Sequence, residues 1–243
     1  MSNVRISFAC GPYDRMDALR TGAVRPEGVD LDYISIESPR EIFDRMAQKR
    51  EFDMSELSSS EFVVMHCNGD SAFVALAVFP SKVFRHSYMF GRVKSGVTKP
   101  KDLEGKRVGV QEYRQTAGVW VRGILADDYG VDLDTIQWVE GGVNEPRAQD
   151  HEMDLRPVRP VPLEFIPENS TLSDLLEAGE IDAYFGARRP GSFDKGKNVA
   201  RLFPDYRKHE REFYQRTGFH PIMHTLVMRE ELHRAEPWVA ESL

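Results

Sequence analysis

Apolar and polar positions alternate over Val4 to Cys10 (VRISFAC), the period of a strand with one buried face, and the run stops at Gly11-Pro12. Asp14 follows as a cap for a helix starting at Arg15, so a strand, a turn and a helix N-terminus succeed one another directly. Leu31 to Ile36 reads as a second strand. Ser38-Pro39 then joins an N-cap to a proline at the first helical position, which predicts a helix to about Lys49. Phe52 to Leu57 is a short strand, and Ser58 opens a helix that Asn68-Gly69 closes. Ala72 to Phe79 is almost continuously apolar, as in a strand buried on both faces.

A polar connector, KSGVTKPK, separates this series from a second one. DLEGKRVGV contains a strand, QEYRQTA a loop, and Ala117 to Tyr129 a helix closed by Gly130, followed by a strand at Ile136 to Val139. The proline-rich residues 145 to 162 have neither period and read as surface loop. Thr171 caps a short helix that Gly179 ends, IDAYFGA is a strand, and Tyr206 to Arg216 is helical. Residues 222 to 229 (IMHTLVMR) form a strand long enough to return between domains, and Glu230 onward turns helical. The closing stretch EPWVAESL is a short helix with little to bury, so a truncated chain is expected. Alternating strands and helices of this kind predict an α/β fold. Two domains are expected: residues 1–93 with 222–243, incomplete at the C-terminus, and residues 94–221.

Composition narrows the classes. A chain of 243 residues with 41% hydrophobic and 29% charged residues is ordinary for a globular protein, and a net charge of −7 argues against a general nucleic-acid binder. Any anion site must be local. Arg5 interrupts the first apolar run, and no later stretch approaches the roughly 18 apolar residues of a membrane span. A cytoplasmic protein without membrane partners is expected, with Cys10 and Cys67 as buried free thiols. No CxxC or HExxH spacing points to a metal, and no cofactor is expected.

The order of these elements resembles the type II periplasmic-binding-protein fold, two α/β domains with a ligand cleft between them. Within it, YDRMDAL, RPEGVDLDY, REFDMSELSSSEF, FVALAVFPSKVFRHSYMF, VGVQEYRQTAGVWVRGILADDYGV, LFPDY and TGFHPIMHTLVMR are similar to the 4,5-dihydroxyphthalate decarboxylase family. The similarity runs along nearly the whole chain and is weakest over residues 145 to 162. It implies a cytosolic enzyme converting 4,5-dihydroxyphthalate to protocatechuate and carbon dioxide, with a small aromatic dicarboxylate as its partner. Family members continue past Leu243 with helices that complete the first domain.

Such chemistry calls for cations to hold carboxylates, a base near the phenols and an acid over the ring. In FRHS, Arg85 can clamp a carboxylate and His86 can exchange a proton, provided the strand is leaving its sheet so that both reach the ligand. Arg85 could instead pair with a surface carboxylate. Tyr13 and Arg15 follow the first strand, where open α/β sheets bind ligands; Arg15 is a second clamp, or else a salt-bridge partner of Asp17 or a solvent-facing arginine. Glu56 holds the same kind of position after the third strand, as a base, an orienting group or a backbone acceptor. From the second domain, Tyr113, Arg114 and Thr116 precede or open a helix able to receive an oxyanion, and Arg188 ends the IDAYFGA strand. His220 and His224 share one face if the strand is extended there, and His224 is an acid/base group, a structural histidine or one ligand of a metal whose third ligand is not apparent. A small-carboxylate binding protein with the same clamps and no chemistry is the alternative reading.

Overall fold

The computed structural model describes residues 3–69, 72–147, 161–196 and 198–243. Residues 148–160 of the expected proline-rich loop, His151 among them, lie outside the described residues. The chain divides into two compact units, residues 1–82 with 222–243 and residues 83–221.

In the first unit β1 (Val4–Cys10) runs into a 3-10 turn at Asp14–Met16 and a short α1 (Asp17–Arg20). Asp14 is thus the first residue of the turn, where its carboxylate accepts the Arg15 N–H, and the expected longer helix is two short pieces. β2 (Val29–Ser35), α2 (Pro39–Lys49), β3 (Met54–Ser58), α3 (Ser59–Cys67) and β4 (Phe73–Lys82) follow. Ser38 caps α2 by accepting the Glu41 N–H.

The second unit contains β5 (Met89–Arg92), β6 (Arg107–Val110), α4 (Thr116–Tyr129), β7 (Gln137–Glu140), β8 (Leu163–Phe165) and α5 (Leu172–Ala178). It ends with β9 (Ala183–Phe185), α6 (Gly191–Lys195), β10 (Val199–Arg201) and α7 (Tyr206–Thr217). The chain then re-enters the first unit as β11 (Ile222–Arg229), α8 (Glu230–Ala235) and α9 (Trp238–Ser242).

The first sheet has the order β2-β1-β3-β11-β4. β1 is parallel to β2 and β3, whereas β11 is antiparallel to both β3 and β4. The carboxyl ends of β1 and β3 and the amino end of β11 therefore share one edge. Its core, with Ile6, Phe8, Met54, Leu226 and Met228, comes from alternate residues of these strands.

The second sheet has the order β10-β5-β9-β6-β7-β8. Both of its faces are buried, which is why its central strands are continuously apolar. Met89, Val108 and Phe185 pack on the α4 side, and Phe90, Val139 and Tyr184 on the α5 side. The expected boundary after residue 93 differs from the one observed, because Met89–Arg92 is hydrogen-bonded to β9 and β10. The crossing lies at Lys82–Val83 instead.

Candidate active site

The strand register of the first unit determines which polar side chains meet. His224 lies directly opposite Ser58 in the β3–β11 ladder, and cross-strand partners point to the same face. Glu56 is two residues before Ser58 and so points there as well. His224 Nδ1 lies 2.9 Å from Glu56 Oε2, joining positions 168 residues apart. Glu56 is completely buried, and its other oxygen accepts the Gly11 N–H at 2.7 Å. Tyr13, on the turn after β1, donates its hydroxyl to Glu56 Oε2 at 2.9 Å and lies 3.4 Å from His224 Nδ1.

Three donors thus converge on one carboxylate. Since a carboxylate only accepts, the bond to His224 is donated by Nδ1–H, which leaves Nε2 as the ring nitrogen available for proton exchange. Burial and the adjacent Glu56 charge push the Tyr13 phenol well above its ordinary pKa, so it remains a donor. Phe43 from α2 meets the His224 ring edge to face, 4.9 Å between centroids, and fixes its plane.

The same turn holds Arg15. Its guanidinium lies over the Tyr13 ring, 4.3 Å from the centroid, and its Nε donates to the Pro80 carbonyl. Half of its side chain remains exposed, and its ion pair is with the exposed Asp14, not with Asp17, the partner weighed as an alternative to a clamp; Asp17 pairs with Arg20. Behind the site, Tyr33 donates to the Gly11 carbonyl, and burial, assisted by the charge of Glu56, pushes the Cys10 thiol up to about 12. Cys10 is inert there. Cys67, expected to be buried, is exposed, because it ends α3 on the solvent side.

The other expected site residues belong to the second unit. Arg85 and His86 were expected where a strand leaves its sheet; Arg85 precedes, and His86–Tyr88 form, a 3-10 turn between β4 and β5. Arg85 is 4% exposed with its guanidinium near the Tyr88 ring. Burial lowers its pKa to about 10, opposed by Tyr88, Tyr184 and Glu210. His86 packs among Phe203, Phe213, Tyr129 and His209, and burial lowers its pKa to about 4. A proton donor working near neutrality was expected there; the ring is instead neutral and aromatic-packed.

Tyr113 is built into its own unit. Its ring lies under the Arg122 guanidinium at 3.7 Å and against Trp138, and its N–H donates to Glu140. Arg114 faces the buried Glu112 at 3.6 Å, and Arg147 bridges Glu112 and Glu140 at 2.7 and 2.9 Å. Thr116 is buried as the first residue of α4, whereas Arg188 is exposed and its carbonyl accepts the Tyr184 hydroxyl. Sequence reasoning missed Phe43, Gly11 and the Arg147 bridge. Phe43 had only the apolar stripe of its helix as a signal, and the bridge joins three separate segments.

No helix among the described residues is long and apolar enough to cross a membrane, and no group of three histidine, cysteine or carboxylate side chains among them could hold a metal ion. No family model matches the chain. A 4,5-dihydroxyphthalate decarboxylase from Comamonas testosteroni is 43% identical over 244 residues, covering 100% of this chain and 73% of the relative. One from Pseudomonas putida is 36% identical over 220 residues, covering 90% of this chain and 84% of the relative. Among solved structures, the periplasmic aliphatic sulphonate binding protein SsuA from Escherichia coli is similar with a TM-score of 0.56 at 10% identity, covering 99% of this chain and 70% of that one. The alkanesulfonate-binding protein SsuA from Xanthomonas axonopodis pv. citri follows with 0.51 at 11% identity, covering 99% and 71%. At such identities these two likenesses establish the type II periplasmic-binding-protein-like fold and nothing finer.

Proposed function

Because the chain belongs to the 4,5-dihydroxyphthalate decarboxylase family, we propose that it decarboxylates a hydroxylated aromatic dicarboxylic acid without oxidation, converting 4,5-dihydroxyphthalate to protocatechuate and carbon dioxide. The observation that carries this reading is the buried Glu56 bound to His224 beside Tyr13 and Arg15. A receptor needs only clamps for its ligand's anionic groups. A carboxylate that orients a histidine, with the second ring nitrogen left over, is the arrangement of a proton-transfer site.

In the proposed mechanism Arg15 holds a substrate carboxylate by charge-assisted hydrogen bonds. Imidazolium His224 delivers its Nε2 proton to the ring carbon that bears the departing carboxylate. The phenol oxygen para to that carbon supplies electron density. The carbon–carbon bond then breaks, its electron pair returns to the ring, and carbon dioxide leaves. The proton occupies the vacated position, and one proton from solvent recharges the imidazole. Glu56 stabilises the imidazolium, while Tyr13 and the Gly11 N–H keep that carboxylate in place. The cytosol, which keeps Cys10 and Cys67 as free thiols, suits such an enzyme.

Chromatography after incubation with 4,5-dihydroxyphthalate tests the reading. Protocatechuate should form with the native chain and fall by roughly 10²- to 10⁴-fold with His224→Asn, the range for losing a general acid. Binding of the acid without any product would replace the enzyme by a receptor.

A further inference from the structure

Strand β4 places a polar side chain beside His224 that the mechanism leaves unused. Leu226 pairs with Leu76 and His224 with Ser81, so β4 advances five residues where β11 advances two. The surplus residues of β4, between Leu76 and Ser81, form a bulge, the device by which a strand next to a site re-aims its side chains. Pro80 is tolerated there because a bulge leaves part of the ladder unpaired.

The bulge has two consequences. Its Pro80 carbonyl accepts the Arg15 Nε–H, which holds the guanidinium over the Tyr13 ring. It also sets Ser81 opposite His224, and cross-strand partners point to the same face. Ser81 is partly exposed, so its hydroxyl is open to a ligand. Tyr13 in turn lies 3.4 Å from His224 Nδ1. The contacts therefore close into a ring, from His224 through Tyr13, Arg15 and Pro80 to Ser81 and back, all within the first unit. One cation and one hydroxyl donor are thereby brought to the β4 side of the imidazole.

The shape of 4,5-dihydroxyphthalate decides what they meet. Its two carboxylates sit on neighbouring ring carbons, whereas both phenols lie on the far side of the ring. When the carbon bearing the departing carboxylate is under His224, groups flanking the histidine face the other carboxylate. Resting on the decarboxylase reading, we propose that Ser81 is a substrate-binding residue whose hydroxyl donates to the carboxylate that the product keeps, the one Arg15 clamps. The same anchor confines the reaction to a single loss of carbon dioxide. Protocatechuate still has a carboxylate para to a phenol and so the same electron push, but that carboxylate is held in the anchor and not under the histidine.

The product carries the retained carboxylate and lacks the departing one, so it separates the two contacts. Ser81→Ala is expected to weaken calorimetric binding of protocatechuate by about tenfold and to raise KM for 4,5-dihydroxyphthalate by the same factor, with kcat changed by less than about twofold. Ser81→Thr, which keeps the hydroxyl, should restore both constants. A raised KM with unchanged protocatechuate binding would assign Ser81 to the departing carboxylate and overturn the proposal, as would native values of both constants in Ser81→Ala. The titration needs no turnover: if the native chain formed no protocatechuate, the decarboxylase reading would fall, while the binding constants would still decide whether Ser81 holds the carboxylate.

Discussion

Glu56 receives three hydrogen bonds within a fully buried setting, so changes at this one residue spread to every group of the candidate site. Glu56→Gln keeps the shape but presents an amide that must donate from one arm, leaving either Gly11 or the Tyr13–His224 side facing another donor. It is expected to lower kcat by roughly 10²-fold or more. Tyr13→Phe removes one donor and leaves the His224 bond intact, so its loss in kcat should be smaller, about tenfold. If the two variants were equally active, the carboxylate would not be orienting the histidine. Arg15→Ala should appear in KM instead, raising it about tenfold for loss of one half-exposed ionic contact. Gly11 has a steric reason of its own. A Cβ there would lie 2.9 Å from the Tyr13 ring and 3.2 Å from Glu56 Oε1, so Gly11→Ala should reduce kcat by roughly tenfold with circular dichroism unchanged. Undiminished turnover in that variant would show that the Tyr13–Glu56 geometry is dispensable.

At the scale of elements, α5 illustrates how far local signals reach. Thr171 accepts the Asp174 N–H at its start, and Gly179 adopts a φ of 84° at its end, as TLSDLLEAG suggests. Thr171→Ala should cost about 1 kcal/mol in urea unfolding. Gly179→Ala should cost more, since its Cβ would meet the Arg92 guanidinium in a conformation that already disfavours a side chain. Equal midpoints for both variants and the native chain would mean that α5 is held by packing alone. Helices with such caps and strands with a clear period were legible: β1, α2, α5 and β11 lie within a residue or two of expectation. β8, β10 and α6 were not, because segments of three to five residues are too short to establish a period. The site was legible by residue type and not by arrangement. Tyr13, Glu56 and His224 each drew notice, but only the antiparallel seating of β11 beside β3 makes them one cluster. His86 misled for the converse reason. A 3-10 turn cancels the alternation of a strand, and nothing local to FRHS shows that the ring will be enclosed by Phe203 and Phe213.

For the whole molecule, that enclosure makes stability depend on pH. His86 is held neutral by burial, the nearby His209 and Arg216 also disfavouring its charge and Asp128 favouring it, so its pKa falls from an ordinary 6.5 to about 4. Between these values the unfolded chain binds the proton and the folded one does not, so stability rises with pH across this window and is lost as pH falls through it. The slope from this one group is at most about 1.4 kcal/mol per pH unit. The tryptophans separate the units, Trp120 and Trp138 lying in the second and Trp238 in the first. On a Trp238→Phe background, fluorescence-detected urea unfolding therefore reports on the second unit. Its midpoint should fall between pH 6.5 and pH 4, and His86→Phe, which keeps the aromatic packing without the titrating nitrogen, should flatten that fall. Carboxylates that titrate lower in the range act in both proteins and cancel in the comparison. Parallel profiles with and without His86 would show that its burial is not what links folding of this unit to acid.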